Sequence, residues 1–324
     1  MVLGTMARPT LVISRYTIVV LLAMLGLMIV SHSAAINNNN NVVIDARQLR
    51  SSPRKDRPVS ELARGASAQH TCVLLSGSAG IKCFGPNING QLGHDRRRNI
   101  GDNGFPFDFG DCLRASSLPG GPRAKPKQVA TSSTFTCALL RNGTVHCFGD
   151  CESGQCGIDP LATNNQTTRD VVDVGAEHGP IIEISAGEKH ACAMTSIGRV
   201  FCWGGGSNGQ LGIGRKVDIL AAPLPVPVDL GRNRTAGQVS AGYSHTCVIV
   251  DSVSFPGETD LVCFGSCVFG KCGTGQAGDQ IEMGDRLPTI EFGRDSRGKR
   301  RFPVQVAAGA AHTCVRHRSI VTTR

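Results

Sequence analysis

The stretch "SAGEKHACAMTSIGRVFCWGGGSNGQLG" at residues 185–212 carries Cys192 and Cys202 on either side of a short turn, Ser196–Ile197–Gly198. Gly198 stands where a three-residue hairpin loop needs a positive φ. Pairing across this turn places Cys192 directly opposite Cys202. Opposed Cβ atoms lie about 4.5–5.5 Å apart, which permits a disulfide after slight adjustment. The stretch therefore predicts a β-hairpin with a cross-strand disulfide.

The same pattern occurs in four copies and begins a fifth. The leading cysteines of the copies, at positions 72, 137, 192, 247 and 314, are 55 to 67 residues apart. This period suits one four-stranded blade per repeat. The hairpin cores span residues 68–93, 133–157, 188–212, 243–273 and, in part, 310–324. The equivalent cross-strand pairs are Cys72–Cys83, Cys137–Cys147 and Cys247–Cys263.

The recurring string AGxxH(T/A)CA…GxVxC(W/F)GxxxxGQLG resembles the regulator of chromosome condensation repeat family, and the match extends over about residues 60–315. The resemblance implies an all-β propeller of four-stranded antiparallel blades, usually seven, around a central channel. Four repeats and a fragment do not close a seven-bladed ring. We therefore expect an incomplete ring, either as a truncated product or as an open or smaller assembly.

The N-terminus has the pattern of a secretory signal. Two arginines precede the apolar run at residues 16–30, and small residues follow, so we expect cleavage after Ala35. A retained anchor at residues 16–30 is the alternative, although the run is shorter than the ~20 residues of a comfortable membrane span. We expect a low-complexity linker at 36–58 and the propeller repeats at 59–324.

Two repeats carry an additional cysteine pair, in "GDCESGQCG" (149–157) and "GSCVFGKCG" (265–273). In register, Cys151 and Cys156 take the positions of Gly206 and Leu211. The fourth repeat makes the same two replacements, with Cys267 and Cys272. Because both positions change together, and because secreted cysteines usually form disulfides, we predict one local disulfide in each loop.

A Cys₄ zinc site is the alternative interpretation of these pairs. A propeller would separate the second and fourth repeats by a whole blade, which opposes it. A redox-active pair usually lies at a helix N-terminus, and the sequence shows no helix here. Cys112 and Cys314 remain unassigned: they could pair with each other, or one could bond to another molecule.

Three sequons fit the secretory compartment: Asn142, Asn165 and Asn233. We predict N-glycosylation at these positions.

The sequence predicts no catalytic, cofactor-binding or metal-binding residue. Four histidines share one repeat position, but the second repeat has Phe135 there, so we expect a structural role. Trp203 shares its position with phenylalanines and is predicted to lie in the core. The glycine-rich loops match no phosphate-binding motif. The formal net charge of +9 is concentrated in runs between the repeats, so we expect solvated loops and no nucleic-acid partner.

Insertions at residues 100–121 and 283–302 interrupt the repeat pattern and are the expected protruding loops. We expect a secreted or cell-surface, non-enzymatic module that binds a protein or glycan through such face loops, without membrane insertion after signal cleavage. The alternative, which the family resemblance also implies, is a guanine-nucleotide exchange factor or scaffold for a small GTPase.

Overall fold

The structure is a computed structural model. It describes residues 34–36, 42–44, 59–63, 65, 68–75, 80–94, 99–100, 118, 125–157, 172, 174–220 and 226–319. The chain divides into two units, one of residues 1–56 with 104–113 and one of residues 57–103 with 114–324. In the first unit, strands β1 (Ala34–Ile36) and β2 (Val42–Ile44) pair antiparallel. No helix among the described residues has the length and apolar character that a membrane span requires.

The second unit contains, in its described residues, one antiparallel sheet for each repeat. Strands adjacent along the chain are hydrogen-bonded neighbours in every sheet. The five sheets are β3 (Val59–Leu62), β4 (Thr71–Leu75) and β5 (Ile81–Phe84); β6 (Pro126–Thr131), β7 (Phe135–Leu140) and β8 (Val145–Gly149); β9 (Ile181–Ala186), β10 (His190–Thr195) and β11 (Val200–Gly204); β12 (Ala236–Ala241), β13 (His245–Asp251), β14 (Thr259–Ser266) and β15 (Asp279–Gln280); and β16 (Arg301–Ala308) with β17 (Thr313–Ser319). Short 3₁₀ helices lie at Ala176–His178, Val268–Gly270 and Gly284–Arg286. This is the all-β antiparallel architecture that the repeats predict.

The hairpin register agrees with the pairing worked out from the turns. Cys192 lies opposite Cys202 with the two Cα atoms 4.1 Å apart, and Cys137 lies opposite Cys147 at 4.0 Å. The structure joins both pairs, and the equivalent pairs of the first and fourth repeats, as disulfides.

The core lies between successive sheets. Cys192 and Met194 on β10 pack against Val239 and Val248 of the next sheet. Every residue of β10 is buried because one face of the strand meets the preceding sheet and the other meets the following one. The five sheets therefore stabilise one another through shared apolar layers.

The insertion at residues 283–302 does not protrude as a whole, so that expectation was wrong. Ile290 and Phe302 are buried, and the Ile290 N–H donates to the Leu261 carbonyl oxygen at 2.9 Å. The insertion therefore runs along β14 of the fourth sheet. Exposed side chains concentrate in the turn at 294–298.

Arg300 anchors the return of this insertion. Its guanidinium lies over the Phe255 ring, 4.4 Å from the centroid, and 5.6 Å from the centroid of Phe302. The same group forms ion pairs with Glu291 at 2.8 Å and Asp260 at 3.4 Å. These contacts hold the insertion to the hairpin between β13 and β14. The other insertion, at 100–121, lies almost entirely outside the described residues.

Candidate functional site

In the second, third and fourth repeats, two connections lie at the same end of the sheet: the turn between the first and second strands and the loop after the third strand. In the third repeat the Gly205 N–H donates to the Lys189 carbonyl oxygen at 2.7 Å. In the fourth, the Ser266 N–H donates to the Ser244 carbonyl oxygen at 2.8 Å. We call this surface the loop face. It comprises the turns at 132–134, 187–189, 242–244 and 309–312 and the loops at 85–93, 149–157, 204–212 and 265–273.

The loop of the third repeat shows why the GxxxxGQLG pattern folds as it does. Gly209 and Gly212 have φ values of 82° and 66°, which side chains rarely adopt. A Cβ on Gly212 would lie 2.7 Å from the Phe264 ring. The Gln210 side-chain oxygen accepts a hydrogen bond from the Asn208 N–H at 2.9 Å. The same bond holds the first and second loops, from Asn89 to Gln91 at 2.9 Å and from Ser153 to Gln155 at 2.8 Å.

The repeated histidines connect this face from one sheet to the next. His190 Nε2 lies 2.9 Å from Thr246 Oγ1, and the Thr246 hydroxyl donates to the Gln210 carbonyl oxygen at 2.9 Å. Because that hydroxyl has a single proton, His190 must donate from Nε2. The same relay joins His70, Thr136 and the Gln91 carbonyl (2.6 and 2.8 Å), and His245, Thr313 and the Lys271 carbonyl (2.9 and 2.7 Å). The structural role predicted for the repeat histidines is confirmed for these three, whereas His312 of the fifth repeat is exposed.

Burial keeps the three relay histidines neutral. It lowers the pKa of His70 to about 4 and that of His190 to about 3, where the charge of His245 adds to the effect. The pKa of His245 is lowered to about 4, first by burial and then by Lys271 and His312. At neutral pH these imidazole rings are therefore uncharged, and they form hydrogen bonds between neighbouring sheets.

The glycine of the AGxxH pattern makes room for the imidazole. A Cβ on Gly187 would lie 2.2 Å from Cε1 of His190, and a Cβ on Gly242 would lie 2.3 Å from Cε1 of His245. Neither glycine has a positive φ. The requirement is therefore steric, since any larger residue would push the ring out of the relay.

The junction between the second and third repeats uses different residues. Phe135 replaces the histidine, and Ala191 replaces the threonine of the following repeat. The loop carbonyl that would accept the threonine hydroxyl belongs to Gln155. It instead accepts the indole N–H of Trp203 at 3.0 Å. Trp203 is fully buried, as the sequence predicted, and it supplies the donor that Ala191 lacks.

The additional cysteine pairs lie in equivalent loops of the loop face. The structure joins Cys151 to Cys156 and Cys267 to Cys272, with Cα atoms 5.1 and 5.0 Å apart. Within the described ranges, no group of three or more His, Cys, Asp or Glu side chains could hold a metal ion. These cysteines therefore close their own loops.

Two of the three predicted glycosylation sites lie at the opposite end of the sheets. Asn142 is exposed in the turn between β7 and β8, where its side-chain oxygen accepts the Thr144 hydroxyl at 2.8 Å. Asn233 is exposed in the segment that enters β12. Asn165 lies outside the described residues.

The remaining cysteines and the predicted signal are described only in part. Cys314 is exposed and carries no disulfide, while Cys112 lies outside the described residues. The apolar run at 16–30 lies outside them as well. Of the expected cleavage site, the structure describes the backbone of Ala35 within β1.

A groove with both polar and apolar lining residues runs along the first strands of the third, fourth and fifth sheets. It encloses a cavity of about 170 Å³. The Ser185 hydroxyl oxygen accepts the Ala241 N–H, and the Ser240 hydroxyl oxygen accepts the Ala308 N–H, both at 2.9 Å. Its other polar lining residues are Glu183, Gln238 and Gln305. The serines use their hydroxyls to join neighbouring sheets.

These contacts connect the turns and loops of the loop face from one sheet to the next. The relay histidines are buried, and their Nε2 atoms are engaged by threonines. Three large side chains on the same face are exposed to solvent: Ile88 is 70% exposed, Tyr243 48% and Phe269 92%. Sequence reasoning missed Phe269, although its position holds Asn or Ser in the other three loops.

Comparison with protein families identifies the repeats. Two family profiles, both described as "Regulator of chromosome condensation (RCC1) repeat", match residues 198–249 and residues 127–155 and 181–210. The human "Probable E3 ubiquitin-protein ligase HERC6" is 27% identical over 84% of this chain and 24% of its own length. The Arabidopsis thaliana "Ultraviolet-B receptor UVR8" is 28% identical over 73% of this chain and 47% of its own. The chain spans about a quarter to a half of the length of these relatives.

Solved structures show the same fold. Human WBSCR16 superposes with a TM-score of 0.61 at 16% identity, covering 90% of this chain and 65% of that one. Prp20p from Saccharomyces cerevisiae, described with its binding to Gsp1p and histones, gives 0.61 at 16% identity over 90% of this chain and 64% of its own. The repeat profiles show that the chain carries regulator of chromosome condensation (RCC1) repeats, and the sheet architecture and these likenesses show the fold of the β-propellers that contain them.

Proposed function

We propose that this chain is a secreted or cell-surface, non-enzymatic module that binds a partner protein through its loop face. The observation that carries the proposal is the set of six disulfides, two of which close loops on that face. Disulfides persist in oxidising compartments and are rare in the cytosol. Rigid loops also lose little conformational freedom on binding, which favours affinity.

The family relationship supports a protein as the partner. Prp20p is described with its binding to Gsp1p and histones, and yeast RCC1 in complex with Kap60. A glycan is the other class that face loops could bind. No cofactor, metal or nucleic acid enters this proposal, because recognition would use side chains of the loop face.

The alternative, an exchange factor or scaffold for a small GTPase, requires access to the cytosol or nucleus. The likeness to Prp20p favours it at the level of fold. The cysteines oppose it, because twelve of the 14 in the sequence are joined in the structure.

Non-reducing peptide mapping of the protein from its native cells, with thiols blocked at lysis, distinguishes these functions. We expect cross-linked Cys151–Cys156 and Cys267–Cys272 peptides, glycans on the sequons and an N-terminus at Ile36. Free thiols together with an intact Met1 would contradict secretion and favour the intracellular alternative.

Partner class is tested by binding of the labelled full-length secreted chain to native cells. A protein partner predicts saturable binding that protease treatment of the cells abolishes and that glycosidase treatment leaves unchanged. The reverse pattern would show a glycan partner.

A further inference from the structure

The fourth loop of the loop face, which we call the Cys267–Cys272 loop, departs from the other three at two positions. Its tip holds Phe269, and Lys271 follows in place of glutamine. A protonated lysine side chain has no acceptor atom, so it cannot accept a hydrogen bond from the backbone N–H of the tip residue as glutamine does. The corresponding tip residues elsewhere are Asn89, Ser153 and Asn208, and the glutamines are Gln91, Gln155 and Gln210.

The side chain of Phe269 is exposed to solvent, and its backbone conformation is unfavourable. At 92%, it is the most exposed large apolar side chain among the described residues. Its φ of 63° and ψ of 19° lie in the left-handed region, which costs about 1–3 kcal/mol for a residue of this kind. The disulfide maintains the loop, together with a hydrogen bond from the Gly270 N–H to the Cys267 carbonyl oxygen at 3.1 Å.

The Cys267–Cys272 loop and the turn at 242–244 beside it carry further exposed apolar side chains and a lysine. Val268 is 38% exposed and Tyr243 48%. Lys271 Nζ donates to the hydroxyl oxygen of Ser244, the residue after Tyr243, at 2.9 Å. Burial lowers the pKa of Lys271, and Asp279 opposes that shift.

Asp279 already has a lysine partner, because it forms an ion pair with Lys216 at 2.6 Å. Asp279 is therefore paired with Lys216, and it acts on the pKa of Lys271 through its charge. A further carboxylate supplied by a partner would complement the remaining positive charge.

We propose that the Cys267–Cys272 loop is the docking element of the loop face. It inserts Phe269 into an apolar pocket of the partner protein, and carboxylates at the rim of that pocket meet Lys271. Exposed aromatic side chains on rigid supports are the usual anchors of protein interfaces. This inference rests on the proposed function, since it assigns the chemistry of the partner to the same face.

The test uses the labelled full-length chain and the native cell surface as the probe. Phe269→Asn installs the tip residue of the first and third loops, and asparagine tolerates the left-handed region better than phenylalanine. We expect the variant to lose at least about tenfold in affinity, while its unfolding temperature is unchanged or higher. If Phe269 had a purely structural role, the substitution would change the unfolding temperature and leave the affinity unchanged.

Ile197→Asn is the matched control, because Ile197 is an exposed apolar residue in a turn at the end of the sheets opposite the loop face. It should bind as the wild type does. Lys271→Gln should weaken binding by a smaller factor.

The outcomes separate this inference from the proposed function. Saturable, protease-sensitive binding that Phe269→Asn leaves unchanged would overturn the docking loop and leave the proposed function standing. Absence of saturable binding by the wild type would overturn both. Concentration-dependent dimers that Phe269→Asn abolishes would show a second copy of this chain as the occupant and would contradict a distinct partner.

Discussion

Two junctions between repeats pair an equivalent buried carbonyl with different hydrogen-bond donors. One junction joins the third and fourth repeats, and the other joins the second and third. In the former, His190 and Thr246 form a relay to the Gln210 carbonyl. In the latter, Phe135 and Ala191 take their places, and Trp203 donates to the equivalent carbonyl. The fixed requirement is a donor for the loop carbonyl, because an unpaired buried carbonyl destabilises the fold.

The two junctions should respond differently to acid, and this is the largest expected effect. The pKa of each relay histidine is lowered to about 3 or 4, against about 6.5 in an unfolded chain. Below pH 6.5 the unfolded chain therefore binds more protons, so stability falls as the pH falls. At pH 5 the loss is about 2 kcal/mol for each histidine, or about 6 kcal/mol for three. Denaturant unfolding at pH 7 and pH 5 measures it.

Copying the second junction into the third tests the origin of this acid sensitivity. The triple variant His190→Phe, Thr246→Ala, Phe264→Trp should lose about a third of the pH 7 to pH 5 difference, because one of three titrating relays is gone. An unchanged difference would mean that the acid response arises elsewhere.

Removal of the relay hydroxyl should have the next largest effect. Thr246→Ala leaves both the His190 Nε2–H and the Gln210 carbonyl without a partner in a buried site. We expect a loss of about 2–4 kcal/mol in the free energy of unfolding. Thr246→Ser keeps the hydroxyl and should cost less. Equal losses for the two variants would show that the methyl group matters more than the hydrogen bonds.

The smallest effect is expected at the second junction. Trp203→Phe installs the residue of the other repeats but removes the donor to the Gln155 carbonyl. We expect a loss of about 1–3 kcal/mol. Adding Ala191→Thr should restore part of it, since a threonine at that position donates to the loop carbonyl at the other junctions. Absence of any rescue in urea unfolding would show that the two donors are not interchangeable.

Local patterns predicted the hairpins well. The turn Ser196–Ile197–Gly198 set the register that places Cys192 opposite Cys202, because a short loop with one positive-φ residue permits few pairings. The presence of Phe135 among the repeat histidines correctly indicated a structural role. These inferences needed residues within one repeat or at one repeated position.

Contacts between repeats were harder to predict. The histidine of one repeat contacts the threonine of the following repeat. The replacement of histidine by Phe135 is therefore accompanied by the replacement of threonine by Ala191 in the next repeat. This pairing is seen only when each repeat is compared with the one that follows it. The 283–302 insertion was misjudged because its burial depends on Arg300 stacking over Phe255, a contact between segments distant in the sequence.

The sequence by itself determined the repeat, the hairpin register and the positions of the cysteine pairs, because each follows from spacing along a single strand, turn or loop. The tertiary structure decided which donor reaches each loop carbonyl, which insertion is anchored and which loop exposes its tip. Those properties depend on neighbours supplied by another sheet. The exposure of Phe269 is the clearest case, since among the twelve phenylalanines of the chain this one lies at a loop tip with a left-handed backbone conformation.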